Sequence, residues 1–315
     1  MLTVVNSSHD PFYNQAFEEY VFLNFREGDV FLLWQNSPAV IVGCYQNICR
    51  EVHVEGLRKL GIPVVRRMSG GGTVYHDLGN VNYTLISSQE GLIDYDRYLE
   101  PVIRALNAIG VPARKDRTCD IAVGDGKISG SAQKAAGGRV LHHGTLLFET
   151  DLSVLEQITT RHKNDCFQSK GTASAICPVT NIRRHLTNGM TLAQFRERLL
   201  EQILPAGSPR VSLTEEQVRE VERLRDEKYR SWEWTWGKTP AFTYEKRGVF
   251  AGNPIRVAYQ ARHGLVSGAA VESPDIDGAQ AARLLNGARL DPDGFSAVCR
   301  TLAGGRADEL MDWLM

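Results

Sequence analysis

What this chain lacks narrows its role before any motif is read. No apolar run approaches the ~20 residues a membrane helix needs, because Gly, Pro or a charge breaks every long apolar stretch. No basic-then-apolar leader pattern opens it. These absences predict a soluble protein with no membrane partner, most simply a cytoplasmic one. Charge of one sign is missing too: 36 basic residues against 37 acidic ones leave a net −1. Such a balance supplies no general field for nucleic acid. Nor is any basic stretch interleaved with aromatics, so nucleic acid is not an expected partner. The cysteines are Cys44, Cys49, Cys119, Cys166, Cys177 and Cys299, and no C-x-x-C pair occurs among them. Their scatter suits reduced thiols rather than a disulfide framework. Cys44, Cys49 and His53 match no zinc spacing and read as ordinary buried side chains.

The most informative stretch present is Arg66-Arg67-Met68-Ser69-Gly70-Gly71-Gly72-Thr73-Val74-Tyr75-His76-Asp77. It follows the apolar run Ile62 to Val65 and precedes a second, Val81 to Ser87. Glycine backbone at a strand end exposes successive N–H groups to an anion, and a guanidinium beside it neutralises charge. The stretch reads as a phosphate cradle. No Gly-Lys-Ser/Thr closes it as a Walker loop, and the dinucleotide spacing G-x-G-x-x-G is absent. A bare triple glycine would read as a hairpin turn. The flanking arginines and Tyr-His-Asp favour a site.

Periodicity places helices over Asn14 to Phe25, Val52 to Leu60 (stopped by Gly61) and Asp94 to Ile109 (stopped by Gly110). Two more, Thr191 to Leu204 and Thr214 to Tyr229, open with the Thr-x-x-Gln capping box. Strands are expected at Val30 to Trp34, Val40 to Val42, Asp120 to Val123, Lys127 to Ser131 and Arg139 to Glu149. This irregular mixture is α+β. After the cluster Trp232-Glu233-Trp234-Thr235-Trp236 the character changes. Strands at Thr243 to Val249, Ile255 to Ala261 and Leu265 to Val271 precede short helices near Ala279 to Leu285, Asp293 to Leu302 and Ala307 to Leu314. A boundary near Arg247 divides the chain into 1–246 and a small α+β unit, 247–315.

Two further segments bear chemistry. In Gly124-Asp125-Gly126-Lys127-Ile128-Ser129-Gly130-Ser131-Ala132, the Asp-Gly turn makes Lys127 open a return strand. The small residues after it leave room for a ligand, and the lysine offers a point charge to phosphate or carboxylate. A solvated lysine after a turn is the plainer alternative. In Leu141-His142-His143-Gly144-Thr145-Leu146-Leu147, adjacent histidines on a strand point to opposite faces and cannot easily share a metal. One is expected at a pocket or a buried hydrogen bond and the other at the surface.

Together these segments resemble the lipoate–protein ligase family of the biotin/lipoate ligase superfamily. The Arg-Arg-x-Ser-Gly-Gly-Gly-x-Val-x-His-Asp string is similar to the family signature, Lys127 to Ala132 to its lysine segment, and His142 to Leu147 to the strand that follows. Similar pieces run along nearly the whole chain: Asp10-Pro11 with Asn14 and Glu18-Glu19, Trp34-Gln35-Asn36, Gln46-Asn47, Val179-Thr180-Asn181-Ile182 and Ser231-Trp232-Glu233-Trp234. The resemblance implies a large domain like those of class II aminoacyl synthetases and biotin ligases, with mixed sheets flanked by helices, plus a small accessory domain, whose placement after the large one predicts a lid or docking role. It implies two half-reactions: lipoate and MgATP give lipoyl-AMP and pyrophosphate, and a lysine of an acceptor then displaces AMP. The implied acceptors are lipoyl domains of 2-oxoacid dehydrogenase E2 subunits and the glycine cleavage H protein.

By this resemblance Arg67, Gly72, Thr73, Val74 and Tyr75 hold the nucleotide. Lys127 bridges the lipoyl carboxyl and the α-phosphate as the catalytic cation. Val42, Gly43, His76 and Gly130 line the lipoate slot, and Asp120 places Mg2+ or the incoming amine. The chain departs from the pattern at Cys119, where many members have Asn, and at Ile176 and Pro178, where arginines are common. Two alternatives stand beside this reading. One is an octanoyl- or lipoyl-transferase that uses Cys177 or Cys166 as nucleophile without ATP. The other is a non-catalytic ligand-binding protein on the same fold.

Overall fold

A computed structural model describes residues 1–88, 94–159, 165–175 and 177–315. Ile176, one of the departures named above, lies outside the described residues. Three sheets organise the described residues. The largest has eight strands in the order Arg210–Val211, Leu2–Val4, Val30–Trp34, Asn80–Ser88, Arg139–Leu147, Gly126–Ala136, Asp120–Val123 and Arg114–Asp116. The first three run parallel and the rest antiparallel.

Alternation along Val30–Trp34 sorts side chains between two cores. Phe31 and Leu33 join a cluster with Tyr98, Leu99, Val102 and Leu106 of helix Asp96–Ile109 and Phe195 and Leu199 of helix Leu192–Ile203. Leu32 and Trp34 face Phe17 and Val21 of helix Pro11–Asn24. Local chemistry sets these helices. Asp10 caps the first with Pro11 just inside it, and Gly110 ends Asp96–Ile109 in the left-handed region at φ 101°. Thr191 and Thr214 form full capping boxes with Gln194 and Gln217. The latter helix is α over Glu215–Leu224, and its expected last turn is a π-helical Arg225–Tyr229.

Strand Arg139–Leu147 is interior to the large sheet, covered on both faces, and this corrects the expectation for the histidine pair. Neither is at the surface. His142 stacks on Tyr98 with ring centroids 5.1 Å apart, while His143 faces Glu18 of the first helix.

The second sheet has three strands, with Ala39–Val42 between Val64–Arg66 and Val74–His76. The glycine run joins the two outer strands, so it is no hairpin turn: it arches over the end of the middle strand. Close approach there explains two glycines. A Cβ on Gly43 would sit 2.3 Å from the Gly71 carbonyl oxygen, and Gly71 has φ +84°.

The third sheet is antiparallel, Asp165–Ser169, Phe242–Phe250, Asn253–Arg262 and Leu265–Glu272. A division at 246/247 passes through the middle of strand Phe242–Phe250, whose ladder also recruits Asp165–Ser169 from far earlier in the chain. The core beneath this sheet includes Val40, Val42 and Tyr75 of the three-stranded sheet together with Leu285, Phe295 and Leu310 of the C-terminal helices.

Candidate functional site

The two arginines preceding the glycines point to opposite sides, as strand parity requires. Arg66 is fully buried and donates to the carbonyls of Thr235 (2.8 Å), Gly43 and Gln46 (both 2.9 Å) and to the Thr239 hydroxyl (3.1 Å). Burial lowers its pKa to about 10, which leaves it charged at neutral pH. Arg67 turns the other way and is spent on the loop itself. Its Nη2 donates to the carbonyls of Gly70 (2.6 Å) and Gly72 (2.7 Å), its Nη1 to Ile41 (3.1 Å) and its Nε to Ser69 Oγ (3.0 Å). The rigid fork is thus the template on which the glycine run folds.

A second set of bonds fixes the far end of the loop. The Thr73 amide donates to Ser174 Oγ (2.9 Å), and the Thr73 hydroxyl donates to Gln46 Oε1 (2.9 Å). Ser174 Oγ also accepts from Gln46 Nε2 (3.0 Å) and donates to the Glu51 carboxylate. The Thr73 amide is therefore not bare, as the cradle reading required, but engaged by a loop from a hundred residues later.

Lys127 is held by main-chain pairing. Its N–H donates to the Pro178 carbonyl (3.0 Å) and its carbonyl accepts from Thr180 (2.9 Å), a parallel bridge to Val179. Its Nζ lies 2.8 Å from Asp120 Oδ1, on the neighbouring strand. Gly130 makes room for that ammonium, since a Cβ there would stand 2.7 Å from Nζ. Beside the pair, the Cys119 thiol has its pKa raised by burial and by Asp120.

Deeper in, His76 accepts at Nδ1 from Asn36 Nδ2 (3.0 Å). Burial, then the neighbouring Arg67 and His143, lower its pKa to about 3, so it is neutral. His143 Nδ1 is 2.9 Å from the Glu18 carboxylate and its Nε2 2.7 Å from Ser69 Oγ. A buried acid on the first helix is thereby hooked to the base of the glycine loop.

These groups surround one cavity of about 200 Å³. Of the residues expected at a site, Arg67, Gly72, Thr73, Val74, His76, Asp120, Lys127 and Gly130 line it. Tyr75, Val42 and Gly43 do not. Tyr75 and Val42 face the core shared with the C-terminal sheet, and Gly43 serves the tight crossing of the loop. Among the described residues, none after Ala175 lines the cavity, so the C-terminal unit backs the small sheet rather than covering the opening. Neither Cys166 nor Cys177 reaches it. Sequence reasoning missed Gln15, Asn82, Arg117 and Ser174 on the wall. Asn82, the amide within the run Val81 to Ser87, was a signal; Gln15 and Arg117 gave none.

Residues 10–204 match the lipoyl protein ligase A/B catalytic domain. The chain is 37% identical over 252 residues to the lipoate-protein ligase LplJ of Bacillus subtilis, covering 77% of this chain and 75% of that one. Its fold matches that of P. falciparum LipL1, solved in complex with lipoate, at a TM-score of 0.66 and 22% identity, over 99% of this chain and 98% of that one. It also matches a lipoate-protein ligase A bound with ATP, at a TM-score of 0.63 and 23% identity, over 74% and 97%. The chain belongs to the lipoate–protein ligase family. No helix among its described residues is long and apolar enough to cross a membrane.

Proposed function

We propose that this protein is an ATP-dependent lipoate–protein ligase. It activates lipoate as lipoyl-AMP and then transfers the lipoyl group to a lysine of an acceptor lipoyl domain. The observation that carries the reading is the cavity in which the Lys127 ammonium, the Asp120 carboxylate and the glycine run Gly72 to Val74 meet. Relatives named as lipoate–protein ligases support it.

In the first half-reaction a lipoate carboxylate oxygen bonds to the α-phosphorus and pyrophosphate leaves with the electron pair of the broken P–O bond. Charge grows on the phosphoryl oxygens, and a preorganised ammonium lowers that barrier. Lys127 supplies it, binding first the free carboxylate and then the mixed anhydride. The apolar tail lies towards His76 and Gly130, where a neutral imidazole places no charge against it. In the second half-reaction the acceptor amine, having lost its proton, attacks the carbonyl and AMP departs.

Mg2+ is assigned as a companion of the nucleotide, where it would offset phosphate charge. The donor set suits that and not a resident ion. Asp120 is the carboxylate on the cavity wall, and no cluster of three ligating side chains occurs among the described residues. Magnesium held by one carboxylate plus substrate phosphates is the usual arrangement. E2 lipoyl domains and the glycine cleavage H protein are the proposed acceptors. We place the reaction in the cytoplasm, which six unpaired cysteines support. The accessory unit is better begun at Phe242, the start of its first strand, than at 247.

The Lys127→Ala variant tests the reading by lipoate-dependent ATP–pyrophosphate exchange. A loss of about 10²- to 10³-fold is expected, with the far-UV spectrum unchanged; undiminished exchange would remove Lys127 from the mechanism. Omitting ATP must also stop lipoylation, whereas a thioester-forming transferase given an acyl donor would continue.

A further inference from the structure

Among the described residues, charge accounting round the cavity leaves one cation uncommitted. Arg67, Arg117 and Lys127 are the described arginines and lysines on its wall. Arg67 is spent on loop carbonyls and Lys127 lies against Asp120. Arg117 is exposed to solvent, and it has no hydrogen bond or ion pair among the described residues. Its neighbours differ: Arg114 pairs with Asp116 at 3.2 Å, and Lys115 with Asp96. Arg117 opens the turn between strands Arg114–Asp116 and Asp120–Val123, three residues before the carboxylate that holds Lys127.

A guanidinium free of internal partners at the wet end of a cavity suits a multivalent anion. The ligase reading, on which this inference rests, requires such an anion. Adenylation breaks the bond between the α-phosphorus and the oxygen bridging to the β-phosphate, and pyrophosphate leaves with that electron pair. Most of the nucleotide's negative charge departs with it, and the other two cations on the wall are already engaged. We propose that Arg117 binds the β- and γ-phosphates and the departing pyrophosphate, and so serves the first half-reaction alone.

The test separates the half-reactions in the intact protein with Arg117→Ala and Arg117→Lys. For Arg117→Ala, the KM values for ATP and for pyrophosphate in lipoate-dependent exchange are expected to rise about tenfold or more, the effect of losing a charge-assisted hydrogen bond. Arg117→Lys should recover part of this, and the KM for lipoate should hold. Transfer from pre-formed lipoyl-AMP to a lipoyl domain needs no pyrophosphate and should stay within about twofold of wild type. Exchange kinetics equal to wild type would overturn the proposal. So would equal losses in both half-reactions, which would assign Arg117 to acceptor docking or to the scaffold. Wild-type protein that transfers from lipoyl-AMP yet shows no lipoate-dependent exchange would instead remove ATP-dependent activation, and this proposal with it.

Discussion

Arg66 and Arg67 differ by one position and by their whole environment. Arg66 ties the small sheet to the Thr235–Thr239 region, while Arg67 braces the glycine run from inside. A lysine at 67 would keep the charge but lose the fork that reaches Gly70, Gly72, Ile41 and Ser69 together. Arg67→Lys is therefore expected to destabilise the protein by about 2 kcal/mol, the scale of a few unmade charge-assisted bonds to buried carbonyls, and to impair exchange. Urea unfolding measures the first part, and an unchanged midpoint would refute it. The residue pattern alone marked both arginines without saying which one faces the cavity, and only the family resemblance singled out Arg67. That choice depends on strand register, where a one-residue slip exchanges the faces. The side chains of Tyr75 and Val42 face the core for the same reason. The bond from the Thr73 amide to Ser174 was not legible, because it spans a hundred residues.

Among the elements, those carrying local signals were readable. Helices with a capping box or a terminal glycine appeared where periodicity and caps placed them, within a few residues. The Thr191 box is exposed and isolated from the cavity, so its contribution can be measured cleanly. Thr191→Ala removes the hydroxyl that accepts from the Gln194 amide and should cost about 1 kcal/mol. Exchange activity should be unaltered. A loss below about 0.3 kcal/mol in urea would show that Gln194 and water satisfy the helix end unaided. Elements without local signal were not readable. Leu2–Val4 and Arg210–Val211 are two or three residues long and exist by pairing, the first with Val30–Trp34 and the second with the first. Nothing local tells that Val30–Trp34 and Ala39–Val42, four residues apart, belong to different sheets. The Asp165–Ser169 strand, which blurs any simple domain boundary, is likewise fixed by a distant partner.

For the molecule as a whole, burial of neutral imidazoles couples folding to pH. His76 and His142 each have their pKa lowered from 6.5 to about 3, chiefly by burial. His142 sits among Tyr83, Tyr95 and Tyr98, with Gln133 bonded to its Nδ1 and His143 adjacent. Below pH 6.5 the unfolded chain takes up protons that the folded chain refuses, down to about pH 3. Stability from these groups is therefore complete above the unfolded value and falls as pH drops through this window. The slope is about 1.4 kcal/mol per pH unit for each proton. Carboxylates titrate in the lower part of the same range, so the informative quantity is a difference between proteins. His142→Phe keeps an aromatic ring in the stack but binds no proton. Its unfolding free energy at pH 7 should fall, because Gln133 loses its partner. Between pH 6 and pH 5, however, it should decline less steeply than wild type, by close to one proton's worth. Parallel declines in urea titrations at these two pH values would mean that His142 is protonated in the folded state, and that the ring-lined interior of the large sheet admits a charge.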